Sequence, residues 1–359
     1  MEQKVRSSNF ELFRIILMIF IIAHHYVVNS GLTTLINVQS LDWNILFLQF
    51  WGFGGKIAIN CFILITGFFM IKGGWRRRKA ITLYAEIKFY KILIFLALSV
   101  GIYNQTNFNS VVHCIFSVFY AMGYGRSFPE VFLLFYLFVP LINKMLNALN
   151  KKEWKYLILL LLFYYSVTYT LIPSLNLKSI HYLGWFMTLY IIGGYIRMFP
   201  NKYTESPKLS FYSSISALVF IFLSILIIDV LISWQIVPRG HYYYFAMDSN
   251  KLSAVWLSVS IFLYVKTHKI QYNRYINWAA KSTLGILLIH ANSDLMRRFL
   301  WRDLLNVVGF YKSYPELILI HAVVSVIGIY LVCLFLDKGR EYFFTKCEKY
   351  FMALKEKGL

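Results

Sequence analysis

Charged side chains are scarce in this chain. Aspartate, glutamate, lysine and arginine make up 14% of its 359 residues while 59% are hydrophobic, against about 25% charged in an ordinary soluble domain. A water-soluble core able to bury that much apolar surface is excluded. The apolar residues fall instead into runs of roughly twenty, the length that crosses a hydrocarbon layer about 30 Å thick. Cysteine is sparse as well: Cys61, Cys114, Cys333 and Cys347 show neither paired nor metal-ligand spacing, which leaves structural thiols and no metal site. Internal repeats, low-complexity stretches and an appended soluble domain are missing from the pattern. The expectation is a single all-α transmembrane domain over 1–359. The N-terminus is basic and then apolar, but Glu11 and Arg14 interrupt it and no small-residue cleavage site follows, so it is read as a retained first helix.

The formal net charge is +20. Basic residues are dispersed between apolar runs and form no groove-lining patch, so the charge is topological and no nucleic-acid partner is expected. Hydropathy places a bundle of about ten transmembrane helices near 9–29, 47–71, 80–102, 128–147, 155–172, 181–199, 210–233, 249–267, 276–293 and 316–337. With the N-terminus taken as cytoplasmic, the inner segments hold Lys4 and Arg6, the run Lys72 to Lys79, Lys151, Lys152 and Lys155, and a tail with Lys338, Arg340, Lys346 and Lys349. The outer loops hold far fewer, as the positive-inside rule requires. A multi-pass protein of the plasma membrane with both termini cytoplasmic is expected. The exception is the loop after the ninth segment, where Arg297, Arg298 and Arg302 lie with Asp294 and Asp303.

Segment 111–122 is apolar but too short to span, and reads as interfacial or re-entrant. The loop 234–248 contains Pro238, Arg239, Gly240, His241 and the run Tyr242, Tyr243, Tyr244. Aromatic faces stack on sugar rings, and tyrosines also gather at every membrane interface; Tyr243 is a candidate substrate contact.

Ionisable groups inside a bilayer are costly unless paired or facing a cavity, so each is a functional candidate. The first helix has the densest set. Arg14 and His25 are eleven residues apart, which at about 100° per residue puts them on one face, about 16 Å apart along the axis, with His24 about 80° away. Glu11, three residues before Arg14, is placed to pair with it. The competing reading is that Arg14 and His25 merely reach to the two interfaces. Histidine suits acyl transfer because a neutral imidazole takes a proton from a hydroxyl as that hydroxyl attacks a thioester. A second cluster, Arg76, Arg77 and Arg78 between Trp75 and Lys79, has the guanidinium chemistry that binds the phosphates of an acyl-CoA, although four basic residues in an inner loop also satisfy topology alone. Asp229, Glu86, Lys88, His290 and His321 are further intramembrane candidates, Asp229 either solvated or buried.

Five stretches carry a family resemblance. In FELFRIILMIFIIAHH, an acidic residue, Arg14 three later and then His25 match the first helix of the acyltransferase-3 integral membrane acyltransferases. CFILITGFF resembles that family's phenylalanine-rich helix, with Thr66-Gly67 in place of Ser-Gly. FLLFYLFVPLINKML resembles the helix with Tyr136, Pro140, Leu141 and Asn143, lacking the usual preceding Trp. WFMTLYIIGGYIR and KSTLGILLIHANSD are similar to two later helices, the second ending in His290 with Leu287 where the family has Tyr. Within the family the chain looks most like the Gram-positive enzymes that O-acetylate capsular polysaccharide or exopolysaccharide. The resemblance implies an acyl-CoA donor used from the cytoplasmic side, essential His25 and Arg14, involvement of Arg76 to Arg78, and a sugar hydroxyl as acceptor; His290 enters as a substrate contact.

The expected function is thus an acetyl-CoA-dependent O-acetyltransferase that modifies a cell-surface polysaccharide or its lipid-linked precursor, with acetyl-CoA as donor substrate and no permanently bound cofactor. Its partners are acyl-CoA, the glycan and the lipid bilayer; no oligomeric state is specified. The alternatives are a glycan flippase or transporter, and a non-catalytic subunit of a polysaccharide-export complex.

Overall fold

A computed structural model describes residues 7–38, 42–103, 112, 127–172 and 181–356. Among them every element is helical and none is a strand, as expected where backbone groups find no water and must pair within their own segment. The first helix, α1, spans Ser8–Val28; two short helices, α2 (Leu32–Val38) and α3 (Trp43–Gly52), lead to α4 (Gly55–Gly73) and α5 (Arg77–Phe95), which widens into a π-helical turn over Leu96–Ile102. Then come α6 (Phe128–Ala148), α7 (Lys151–Leu162, continued through Phe163–Val167 to Leu171), α8 (Tyr182–Met198), α9 (Pro207–Ser233) and α10 (Leu252–Thr267). The chain ends in α11 (Arg274–Ala280), α12 (Thr283–His290), α13 (Asp294–Arg298) and the long α14 (Pro315–Glu356).

Six helical stretches among the described residues have the length and hydropathy of a membrane crossing: Ser8–Val28, Trp43–Gly73, Phe128–Ala148, Lys151–Leu171, Pro207–Ser233 and Pro315–Cys347. The remaining hydropathy segments are helical but fall short for visible reasons. Charges crowd the start of α5, α8 and α10 have 17 and 16 residues, and the segment near 276–293 breaks between α11 and α12. Length and composition alone therefore do not carry the helix count of about ten. The segment near 47–71 also starts earlier and breaks at Phe53-Gly54 into α3 and α4. Lys4, Arg6 and most of segment 111–122, including Cys114, lie outside the described residues; Cys61, Cys333 and Cys347 are unpaired thiols.

Helices α1 and α4 run antiparallel at the centre. Phe10, near the start of α1, packs on Phe68 and Phe69 near the end of α4, with ring centroids 5.7 and 5.0 Å apart. Helix α8 lies along α4 closely enough that side chains are excluded at two points: a Cβ on Gly67 would lie 2.3 Å from the Tyr190 carbonyl oxygen, and one on Gly193 would lie 2.4 Å from that of Leu64. Small residues at such crossings let backbones approach and replace the hydrophobic drive that lipid cannot supply. Gly193→Val must push two helix backbones apart, and overpacking of this kind costs about 1–3 kcal/mol; a clear fall in the thermal midpoint of the purified protein in detergent is expected.

The motif on α6 stabilises the same corner. Tyr190 donates to Asn143 Oδ1 at 2.7 Å, Asn143 donates to the Met70 carbonyl at 3.3 Å, and Tyr136 donates to the Arg76 carbonyl at 3.5 Å. Helices α6 and α8 thereby hold the end of α4 from which Arg76, Arg77 and Arg78 leave.

Candidate active site

Successive residues on a helix turn by about 100°, and near the end of α1 that rotation sends three polar side chains to three neighbours. His24 Nδ1 meets the Gly52 carbonyl of α3 at 2.6 Å. His25 Nδ1 meets His290 Nε2 of α12 at 3.1 Å. Tyr26 OH meets His321 Nδ1 of α14 at 2.8 Å, and His321 Nε2 reaches the Leu305 carbonyl at 3.1 Å. His290 is fully buried and His25 partly so. Segments distant in sequence thus converge on one turn of α1.

The bonding around His290 determines which nitrogens carry protons. Its Nδ1 lies 2.6 Å from the Ile286 carbonyl, which only accepts, so Nδ1 must hold the hydrogen. In a fully buried site an unpaired imidazolium is costly, so His290 is neutral and its Nε2 offers a lone pair. The 3.1 Å contact then requires His25 Nδ1–H to donate, which leaves the lone pair on His25 Nε2, a nitrogen with no hydrogen-bond partner among the described residues. A buried carbonyl, a neutral imidazole and a second imidazole in series fix the tautomer of a base, as an orienting group does for a catalytic histidine. Lys56 and Arg297 lie near enough to act electrostatically on the His25 ring. Lys56 donates to Tyr182 OH at 3.0 Å and lies 3.9 Å from Asp248; Arg297 pairs with Asp294 at 2.6 Å and Arg298 with Asp303 at 3.7 Å, so the arginine-rich loop is partly neutralised by its own carboxylates.

The opposite end of the bundle is basic. Glu11 and Arg14 form the expected pair, at 3.0 Å. Arg77, Arg78, Lys281 and Arg340 line a cavity of about 970 Å³ whose wall also includes Glu86. Arg340 is tied to Glu86 and Asp337, both at 2.8 Å, and Tyr90 OH donates to Asp337 at 2.7 Å. Glu86 is therefore part of a structural ion pair. Arg76 is not among the lining residues; its backbone caps α5 and receives Tyr136. The 19 residues of α4 separate this end from the His25 end by about 28 Å.

Two expected substrate contacts sit inside the protein. His290 lies against His25, as described. Tyr243 is buried, and its hydroxyl donates to the Leu48 and Gln49 carbonyls at 3.3 and 2.5 Å, so it holds α3 in place. Lys56, Gln49 and Lys281 were not singled out from the sequence, although a cation or amide within an apolar run was the available signal. Among the described residues no three His, Cys, Asp or Glu side chains gather as a metal site.

The fold and the site define a helical membrane protein with a tautomer-fixed histidine pair at one end and a basic cavity at the other. The family model described as an acyltransferase domain matches residues 7–337, and the chain belongs to the acyltransferase-3 family. It is a membrane acyltransferase. No curated protein and no solved structure matched the chain.

Proposed function

We propose that the protein transfers an acetyl group from cytoplasmic acetyl-CoA to a hydroxyl of a cell-surface polysaccharide or its lipid-linked precursor, in the plasma membrane with both termini cytoplasmic. The observation that carries this reading is the His25–His290 contact at 3.1 Å, which leaves His25 Nε2 as a base for an acceptor hydroxyl. The CoA phosphates bind Arg77 and Arg78, with Lys281 contributing from α12's approach, and the pantetheine arm runs past Arg14 toward His25. His25 Nε2 removes the hydroxyl proton as the oxygen attacks the thioester carbonyl. The carbon–sulfur bond then breaks, and the departing thiolate takes the proton back from His25. Lys56 and Arg297 supply positive charge where the oxyanion develops.

The test is to incubate purified protein in nanodiscs with radiolabelled acetyl-CoA and cell-wall glycan and to follow free CoA and labelled glycan. Acetyl transfer is expected. If the protein releases no CoA from any acyl-CoA yet still supports glycan display, the enzymatic reading fails. Replacing both Arg77 and Arg78 by alanine should raise KM for acetyl-CoA by about tenfold or more, since each charge-assisted phosphate contact is worth about 1.5–3 kcal/mol, with kcat changed far less.

A further inference from the structure

A second cavity, of about 480 Å³, opens at the His25 end between α2, α3 and the end of α9 with its following loop. It is within the ~300–1,000 Å³ range of small-molecule clefts. Gln49 and Asp229, 1% and 7% exposed, form part of its wall. Gln49 Nε2 donates to Asp229 Oδ1 at 3.1 Å, while Asp229 Oδ2 and Gln49 Oε1 have no hydrogen-bond partner among the described residues. Buried acceptors without a donor destabilise a fold, and here two of them lie side by side at one cavity.

The chemistry of the walls narrows what would satisfy them. An anion is repelled by the carboxylate. A hard divalent cation needs six or more oxygens and favours carboxylates, whereas this wall has a single carboxylate, the neutral side chains of Gln49, Ser233, Gln235 and Tyr242, and the repelling guanidinium of Arg239. Adjacent neutral donors on an otherwise apolar body fit best: the vicinal hydroxyls and C–H faces of a sugar ring, with Ile45, Pro238 and Tyr242 as the apolar surfaces. Burial, with the Asp229 carboxylate adding, pushes the Tyr242 phenol up to about 12, so it remains a neutral donor. Gln49 and Gly52 are three residues apart on α3, neighbours on the helix surface, and the Gly52 carbonyl holds His24. One turn of helix joins the cavity wall to the residue preceding His25.

We propose that this cavity is a glycan subsite, in which Asp229 and Gln49 hold adjacent hydroxyls of one sugar residue while another hydroxyl of the same glycan faces His25. The proposal rests on the acyl-transfer reading for its purpose but not for its test. Saturation-transfer NMR on the protein in nanodiscs, with N-acetylglucosamine and cellobiose as probes, reads binding without chemistry. The wild type and His25→Ala are expected to bind a probe alike, and Asp229→Asn and Gln49→Met to bind it about tenfold more weakly, each with a thermal midpoint showing that it is folded. No saturation transfer to either sugar, or equal transfer in the wild type and both folded subsite variants, overturns the subsite as a solvent-filled pocket only. Absence of acetyl transfer with the binding pattern intact overturns the enzymatic reading instead.

Discussion

Replacing His25 with alanine is expected to lower acetyl transfer by about 10²–10⁴-fold, the contribution of a positioned general base, and to leave KM for acetyl-CoA near its wild-type value. In the proposed reaction the donor is held by its phosphates at the far end of α4, and those phosphate contacts lie out of reach of this imidazole. The fold should survive: His25 is only partly buried, and its loss leaves one acceptor, His290 Nε2, without a donor, at about 1–3 kcal/mol. His24→Ala is the informative control. Its ring is engaged with the Gly52 carbonyl on α3, so its removal should loosen packing and depress stability more than it depresses turnover. Rates of CoA release, set beside thermal midpoints, check both. A His25→Ala protein with more than a tenth of wild-type turnover would remove His25 from the reaction.

His290→Phe should be nearly as damaging, because His290 accepts from His25. The phenyl ring fills the space but accepts nothing, so His25 is free to adopt the opposite tautomer and present N–H where the lone pair is needed. A loss of about 10²-fold or more in kcat is expected, toward the ~10⁴-fold seen when the tautomer of a catalytic imidazole is reversed in serine proteases. KM should hold, which separates positioning from binding. His290→Gln restores an acceptor oxygen facing His25 Nδ1 and should recover part of the rate. If the Phe and Gln variants have equal turnover, the hydrogen-bond relay from Ile286 is not what orients His25.

Much of this site could be read in α1 alone, because helical spacing is a local property. Eleven residues put His25 on the face of Arg14, three put Glu11 beside Arg14, and about 80° set His24 apart; the structure sends His24 and His25 to different helices and pairs Glu11 with Arg14. His290 is legible as an ionisable group within an apolar run, and through family resemblance as a substrate contact, but not as the partner of His25, because no periodicity says which helix will lie against which across 265 residues. Averaging over a span explains other gaps. Gln49 and Lys56 are diluted by the apolar residues around them, and the break between α3 and α4 is marked by Gly52, Gly54 and Gly55, which a hydropathy window treats as neutral. The second break, at Lys281 and Ser282, had a cation and an N-cap residue as signals. Charge patterning gives sidedness for whole segments, but not that Arg77 and Arg78 line a cavity while Arg76 does not.

The length of α4 makes the bundle a ruler. In the acyl-transfer reading, a donor gripped by its phosphates within the basic cavity must present its acyl group well along α4 toward His25, so reach selects the donor before any pocket reads its acyl group. A small activated acetyl compound that bears phosphate but no arm would occupy the basic cavity and react with nothing. The long handle of coenzyme A, inert in the chemistry itself, is on this geometry what qualifies it as substrate.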